Sequence, residues 1–145
     1  ITKVCGIYDD IVNMTDGFDT IIGERGVSLS GGQKQRMAMS RALIMNPEIL
    51  ILDDSLSAVD AKTEHLILEN LKRERSDKTT MITAHRLSAI VHADLIIVLQ
   101  DGRIVEKGTH EELMALGDWY AKTYDRQQLE ATLEEGGDAV EHEDL

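Results

Sequence analysis

Three short stretches of this sequence hold side chains that could do chemistry. Asp53 and Asp54 follow directly on the apolar run Ile49-Leu50-Ile51-Leu52. Carboxylates at the end of a buried strand stand where an α/β protein places groups for ligand contact, because the crevice outside the strand C-termini is open to solvent. Leu29-Ser30-Gly31-Gly32-Gln33 precedes a segment rich in Met, Ala, Arg and Leu. A serine cap followed by glycines at a helix start offers backbone N–H groups and the positive end of the helix dipole to an anion, and glycine lets a phosphate come close. His85 follows a second apolar run, and an imidazole gains or loses its proton near neutral pH. None of these features is specific alone. Asp is common at turns, paired glycines make plain loops, and most single histidines are structural.

The elements that must position these groups alternate between helix and strand, the pattern of an α/β fold. Val4, Ile7, Tyr8, Ile11 and Val12 fall near helical spacing and predict an amphipathic helix over residues 2–14, ended by Asp16-Gly17. Residues 33–45 predict a helix capped by Ser30 and closed by Pro47. The run at 49–52 predicts a strand buried on both faces of a parallel sheet, which puts Asp53 and Asp54 at the C-terminal strand end where α/β proteins bind ligands. Residues 61–73 predict the crossover helix and 79–83 the next strand, a βαβ unit that brings His85 out on the same sheet edge. Residues 94–99 and 103–106, joined through Gln100-Asp101-Gly102, predict an antiparallel hairpin that finishes the sheet. Thr109 with Glu111 and Glu112 predicts a short capped helix, and residues 119–133 a last amphipathic one.

Composition narrows the function classes. The 145 residues are 42% hydrophobic and 29% charged, enough for one core. No apolar run approaches the ~18 residues of a membrane span, and the start lacks the layout of a signal peptide. A net charge of −12 argues against a nucleic-acid backbone binder, and 3% aromatic content against base stacking. The single Cys5 excludes an internal disulfide and suits a reducing compartment. Glu134, Glu135, Asp138, Glu141, Glu143 and Asp144 carry half of the net charge, so residues 134–145 read as an acidic, disordered tail.

Taken together and in order, Leu29-Ser30-Gly31-Gly32-Gln33 with Lys34-Gln35-Arg36, then Ile49 to Asp53, then Ser57-Ala58-Val59-Asp60, then Thr83-Ala84-His85, resemble the signature, Walker B, D-loop and switch-histidine motifs of an ATP-binding-cassette (ABC) ATPase. Thr20-Ile21-Ile22-Gly23-Glu24-Arg25-Gly26 is similar to the loop that touches the membrane domain in exporter-type cassettes of the multidrug kind. The segment from Gly102 to Leu113 resembles the same subfamily, and the likeness covers about residues 2–120.

The resemblance implies part of a RecA-like P-loop NTPase sheet with flanking helices, plus part of the ABC helical subdomain. It divides the chain into helical-subdomain residues 1–45, ATPase-core residues 46–118, a C-terminal helix at 119–133 and the acidic tail at 134–145. It implies ATP and Mg²⁺ as cofactors, with Asp53 on the metal and Asp54 and His85 as catalytic groups at the attacking water. Ser30, Gly31, Gly32 and Gln33 would contact ATP held by a second nucleotide-binding domain, and Ser57 and Asp60 would link the two sites. Gly23, Glu24, Arg25 and Gly26 would meet a transmembrane domain of the same chain at the cytoplasmic face of the cell membrane.

Two departures qualify this reading. No G-x-x-x-x-G-K-[ST] phosphate loop occurs, which implies the C-terminal part of a nucleotide-binding domain that is inactive alone. Asp54 stands where the family has a glutamate, and the missing methylene shortens its reach by roughly 1 Å. That change implies the degenerate-site half of a heterodimeric drug or lipid exporter. A soluble ABC ATPase of DNA repair or translation, and a non-catalytic regulatory cassette, fit parts of the same pattern.

Overall fold

The computed structural model describes residues 1–25 and 27–140, with side chains to residue 136. The chain forms two compact units that meet in sequence between Thr83 and Ala84.

The first unit is built on α1 (Tyr8–Val12), α2 (Gly31–Ile44), β1 (Ile49–Leu52), α3 (Ala61–Glu74) and β2 (Thr79–Ile82). β1 and β2 pair in parallel, Ile49 with Thr79 through Leu52 with Ile82, and α3 is the crossover between them. This is the expected βαβ unit. Leu50 and Leu52 point into a core shared with Met39 and Leu43 of α2, Ile67 and Leu71 of α3, and Cys5, Ile7 and Ile11. Arg75 caps the end of α3 and is buried, donating to the carbonyls of Pro47 and Thr79 at 2.9 and 3.2 Å and to Thr80 Oγ1 at 3.1 Å. One guanidinium thereby ties the end of the crossover helix to the starts of both strands.

Two expectations fail here. β1 is buried on one face only, because Ile49 and Ile51 are 59% and 63% exposed and nothing in the described residues covers them. The helix expected over 2–14 is confined to Tyr8–Val12. Gly6 stands at φ +64, a left-handed conformation that no α-helix passes through, and residues before it form turns closed by Cys5 N to Ile1 O and Ile7 N to Thr2 O.

The second unit holds β3 (Ile96–Gln100), β4 (Arg103–Gly108), α4 (His110–Leu116) and α5 (Trp119–Val140). β3 and β4 form the antiparallel hairpin, turned by Asp101 and Gly102 at φ +49 and +74, as a type I′ turn requires. The hairpin is a two-stranded sheet of its own, so it does not finish the β1–β2 sheet. Its core is Leu87, Ile96, Val98, Leu113 and Tyr120. α4 starts on a full capping box between Thr109 and Glu112. At the start of α5, the buried Glu106 carboxylate accepts from Tyr120 N at 3.2 and 3.3 Å, a negative charge at the positive end of a helix. α5 runs on past residue 133 to Val140, so the backbone of 134–140, read above as tail, is helical. Residues 141–145 of that tail lie outside the described residues.

Candidate functional site

Residues 30–33 form the first turn of α2. Ser30 is its N-cap: Gln33 N donates to Ser30 Oγ at 3.2 Å, and Ser30 N donates to Gln33 Oε1 at 2.9 Å, a reciprocal capping box. The Ser30 hydroxyl, used as an acceptor, keeps its proton to donate outward. The N–H groups of Gly31 and Gly32 lie in the turn where a helix has no carbonyl four residues back to bond. The turn is therefore a set of hydrogen-bond donors at a positive helix end, suited to phosphate oxygens.

The glycines answer to packing as well as to a ligand. A Cβ on Gly32 would stand 2.8 Å from the Ala58 carbonyl oxygen, and one on Gly31 would stand 3.3 Å from Ala58 Cβ. The sequence points to glycine for phosphate approach; the structure adds that α2 starts flush against the loop holding Ser57, Ala58 and Asp60.

Three further side chains hold this turn: Asp10, which carries no sequence signal, and Arg36 and Gln35, which stand beside the signature in the sequence with no role legible there. Asp10 on α1 accepts from Gln33 Nε2 at 2.8 Å through Oδ1 and pairs with Arg36 Nη1 at 2.9 Å through Oδ2. Arg36 also donates to the carbonyls of Gly6 and Gly32. Gln35, one turn into the helix, donates to the Asp54 carbonyl at 3.1 Å and Ser57 Oγ at 2.9 Å, and accepts from Ala58 N at 2.9 Å.

Asp53 and Asp54 stand exposed at the C-terminal end of β1, where the strand reading put them. Thr83, just beyond β2, spans both: its hydroxyl donates to Asp53 Oδ1 at 2.9 Å and accepts from Asp54 N at 3.0 Å. Asp54 has φ +52, a left-handed conformation that Asp tolerates better than most residues. A carboxylate has about four lone-pair sites, so the Thr83 bond leaves Asp53 able to hold a cation. Among the described residues no group of three His, Cys, Asp or Glu could hold a metal unaided. A single protein carboxylate fits Mg²⁺, which keeps several waters and takes its other ligands from phosphates.

Asp60 is the N-cap of α3, its Oδ1 accepting from Thr63 N at 2.9 Å. Hydrogen bonds from the Thr63 side chain and backbone hold its carboxyl below the usual carboxylate range. Ser57 donates to the Asp54 carbonyl at 3.2 Å. His85 lies in the second unit with its side chain exposed, and its carbonyl accepts from Gln127 Nε2 on α5 at 2.8 Å. Gly23, at φ +122, Glu24 and Arg25 sit on an exposed loop pinned by Val27 N to Ile21 O at 2.9 Å, and Gly26 lies outside the described residues.

A family model described as ABC transporter matches residues 8–57, which hold α1, the signature turn and both carboxylates. The probable multidrug resistance ABC transporter ATP-binding/permease protein YheI of Bacillus subtilis is 59% identical over 88% of the chain. The chain belongs to the ABC transporter family. The multidrug resistance-like ATP-binding protein MdlA of Escherichia coli is 51% identical over 93% of the chain. A solved bacterial Atm1-family ABC exporter with ATP bound superposes on 87% of the chain with a TM-score of 0.78 at 44% identity. The chain spans 22% to 23% of the length of these ABC proteins.

Proposed function

We propose that this chain is the C-terminal part of the ATP-binding domain of an ABC exporter, in which ATP binding and hydrolysis at a pair of such domains drive export of a small drug-like or lipid-like molecule. The names of the multidrug relatives and the exposed loop at Gly23, Glu24 and Arg25 support the exporter class over a soluble repair or translation ATPase. The exposed apolar side chains of Ile49, Ile51 and Met81, at 56% to 63%, are the surface that the rest of such a domain would cover. The working protein then sits at the cytoplasmic face of the cell membrane, joined to a transmembrane domain.

Asp53 would hold Mg²⁺, which when bound balances charge on the nucleotide phosphates. Thr83 orients Asp53 by its hydrogen bond and fixes the backbone of Asp54. Asp54 would accept the proton of the attacking water, from about one methylene too far away. His85 would donate to the γ-phosphate, and Ser30, Gly31, Gly32 and Gln33 would bind ATP carried by the other domain.

The single observation that carries the finer reading is Asp54 beside an intact signature turn. The turn is built to serve a partner's ATP, while the site this chain lines hydrolyses slowly, so the two halves are different subunits. With both full-length subunits co-expressed, Asp54→Asn is expected to change turnover less than twofold, and the same change at the partner's glutamate to remove most of it. If the full-length protein of this chain alone matches the mixed complex and Asp54→Asn stops it, the exporter is a homodimer.

A further inference from the structure

We propose that Gln35 is a positioning residue that locks the signature turn to the loop between Asp54 and Ala58 of the same chain, so that neither can move without the other. The proposal rests on the reading above that the turn serves the partner's ATP while Asp54 lines this chain's own site. Two independent observations meet at this junction. The Gln35 amide uses both ends: Nε2 donates to Asp54 O and Ser57 Oγ, and Oε1 accepts from Ala58 N. Ser57 Oγ closes the ring by donating to Asp54 O. Separately, the absence of a side chain at Gly32 lets the same helix start approach the Ala58 carbonyl closely, with 2.8 Å left for a Cβ.

The chemistry of the amide explains why this position takes a glutamine. An amide carries a donor and an acceptor side by side, and here they satisfy the Asp54 carbonyl and the Ala58 N–H, four residues apart on one loop. Glutamate keeps the acceptor and loses both donors, setting a charged oxygen against the Asp54 carbonyl. Alanine loses all three bonds. The neighbours on α2 do nothing comparable, since Lys34 is exposed and Arg36 turns to Asp10. Pull on the signature turn from a partner's nucleotide is thereby passed to the backbone of Asp54, and the two ATP sites of a pair are linked through one side chain.

The test uses the full-length transporter with its partner subunit, wild type, Gln35→Ala and Gln35→Glu, measuring ATP hydrolysis against ATP concentration and the thermal midpoint. The lock predicts that kcat falls about tenfold in both variants and that the Hill coefficient for ATP drops toward one. KM stays within twofold, and both variants keep a thermal midpoint well above the assay temperature, so the fall in kcat is not unfolding. Wild-type kcat and Hill coefficient in Gln35→Ala overturn the lock. So does a fall in kcat that tracks loss of the midpoint in both variants, because that is a structural role only. A wild-type complex that hydrolyses no ATP overturns the function proposed above and not the lock, which separates the two failures.

Discussion

Adding one methyl group at Gly32 is the sharpest perturbation of the junction between α2 and the following loop. Neither Gly31 nor Gly32 has a positive φ, so Gly32→Ala brings no backbone strain and its effect is contact alone. The new Cβ would meet the Ala58 carbonyl oxygen at 2.8 Å. Even a close C–H···O approach needs about 3.3 Å, so the helix start or the loop must yield by about 0.5 Å. Overpacking of this kind costs about 1–3 kcal/mol, and alanine's helix preference over glycine returns up to about 1 kcal/mol, leaving a net loss near 1–2 kcal/mol. A displacement of about 1 Å costs roughly 100-fold in rate, so half of it costs about tenfold. ATP hydrolysis by the full-length complex is expected to fall about tenfold in Gly32→Ala, and by much less in Gly31→Ala, where the contact is 3.3 Å to a side-chain carbon. Steady-state hydrolysis with a melting curve for each variant reads both terms. A Gly32→Ala complex that turns over at the wild-type rate refutes the reasoning.

Thr83→Val removes the donor to Asp53 and the acceptor for Asp54 N while keeping the shape, and should raise severalfold the Mg²⁺ concentration needed to retain labelled ATP at the site this chain lines in the full-length complex. Asp60 has its carboxyl held low, so its contribution to folding is present above the ordinary value of 3.8 and is lost as pH falls through the lower folded value; Asp60→Asn should flatten the acid limb of a melting-against-pH curve. Burial first, then the charges of Tyr124 and Glu111, push the Tyr120 hydroxyl up from 10.0 to about 12. Its raised value means the stabilisation is complete below pH 10 and is lost as pH rises toward 12, by about 3 kcal/mol at most, and Tyr120→Phe should remove that dependence in urea titrations at pH 9 and 11.5. Glu24→Ala in the full-length exporter should lower transport more than ATP turnover, and an equal fall in both would make the loop structural only.

The strands and the helix caps were legible because local chemistry decides them. The apolar run at 49–52 is bounded by Pro47 and two aspartates, Ser30 and Thr109 each have a Gln or Glu three residues on, and Asp101-Gly102 permits only a tight hairpin turn. The start of the chain misled, since a 3.6-residue spacing of apolar side chains says nothing of Gly6 at φ +64 in its midst. The exposed face of β1 was equally hidden, because an apolar run reports that a surface must be covered and not which residues cover it. Within the candidate site, residue type and order singled out Asp53, Asp54 and residues 30–33 as candidates. The groups that hold them act across separations of 19 to 30 residues: Asp10 leaves no local pattern, and Gln35 and Thr83 fall inside motif stretches whose spacing does not say what they bond. Asp60 reads as a motif residue in the sequence, and the task the structure shows for it is the cap of α3.

The central claim is that Ser30 and the turn it caps act on ATP held by a partner domain. The most direct measurement is ATP hydrolysis by the co-expressed full-length complex with Ser30→Arg in this chain, alongside binding of a fluorescent ATP analogue. Arginine there sets bulk and charge at the turn and removes the cap, so hydrolysis should fall at least tenfold while the partner's phosphate loop still binds the analogue. Hydrolysis at the wild-type rate, with the variant subunit present in the complex, would contradict the account.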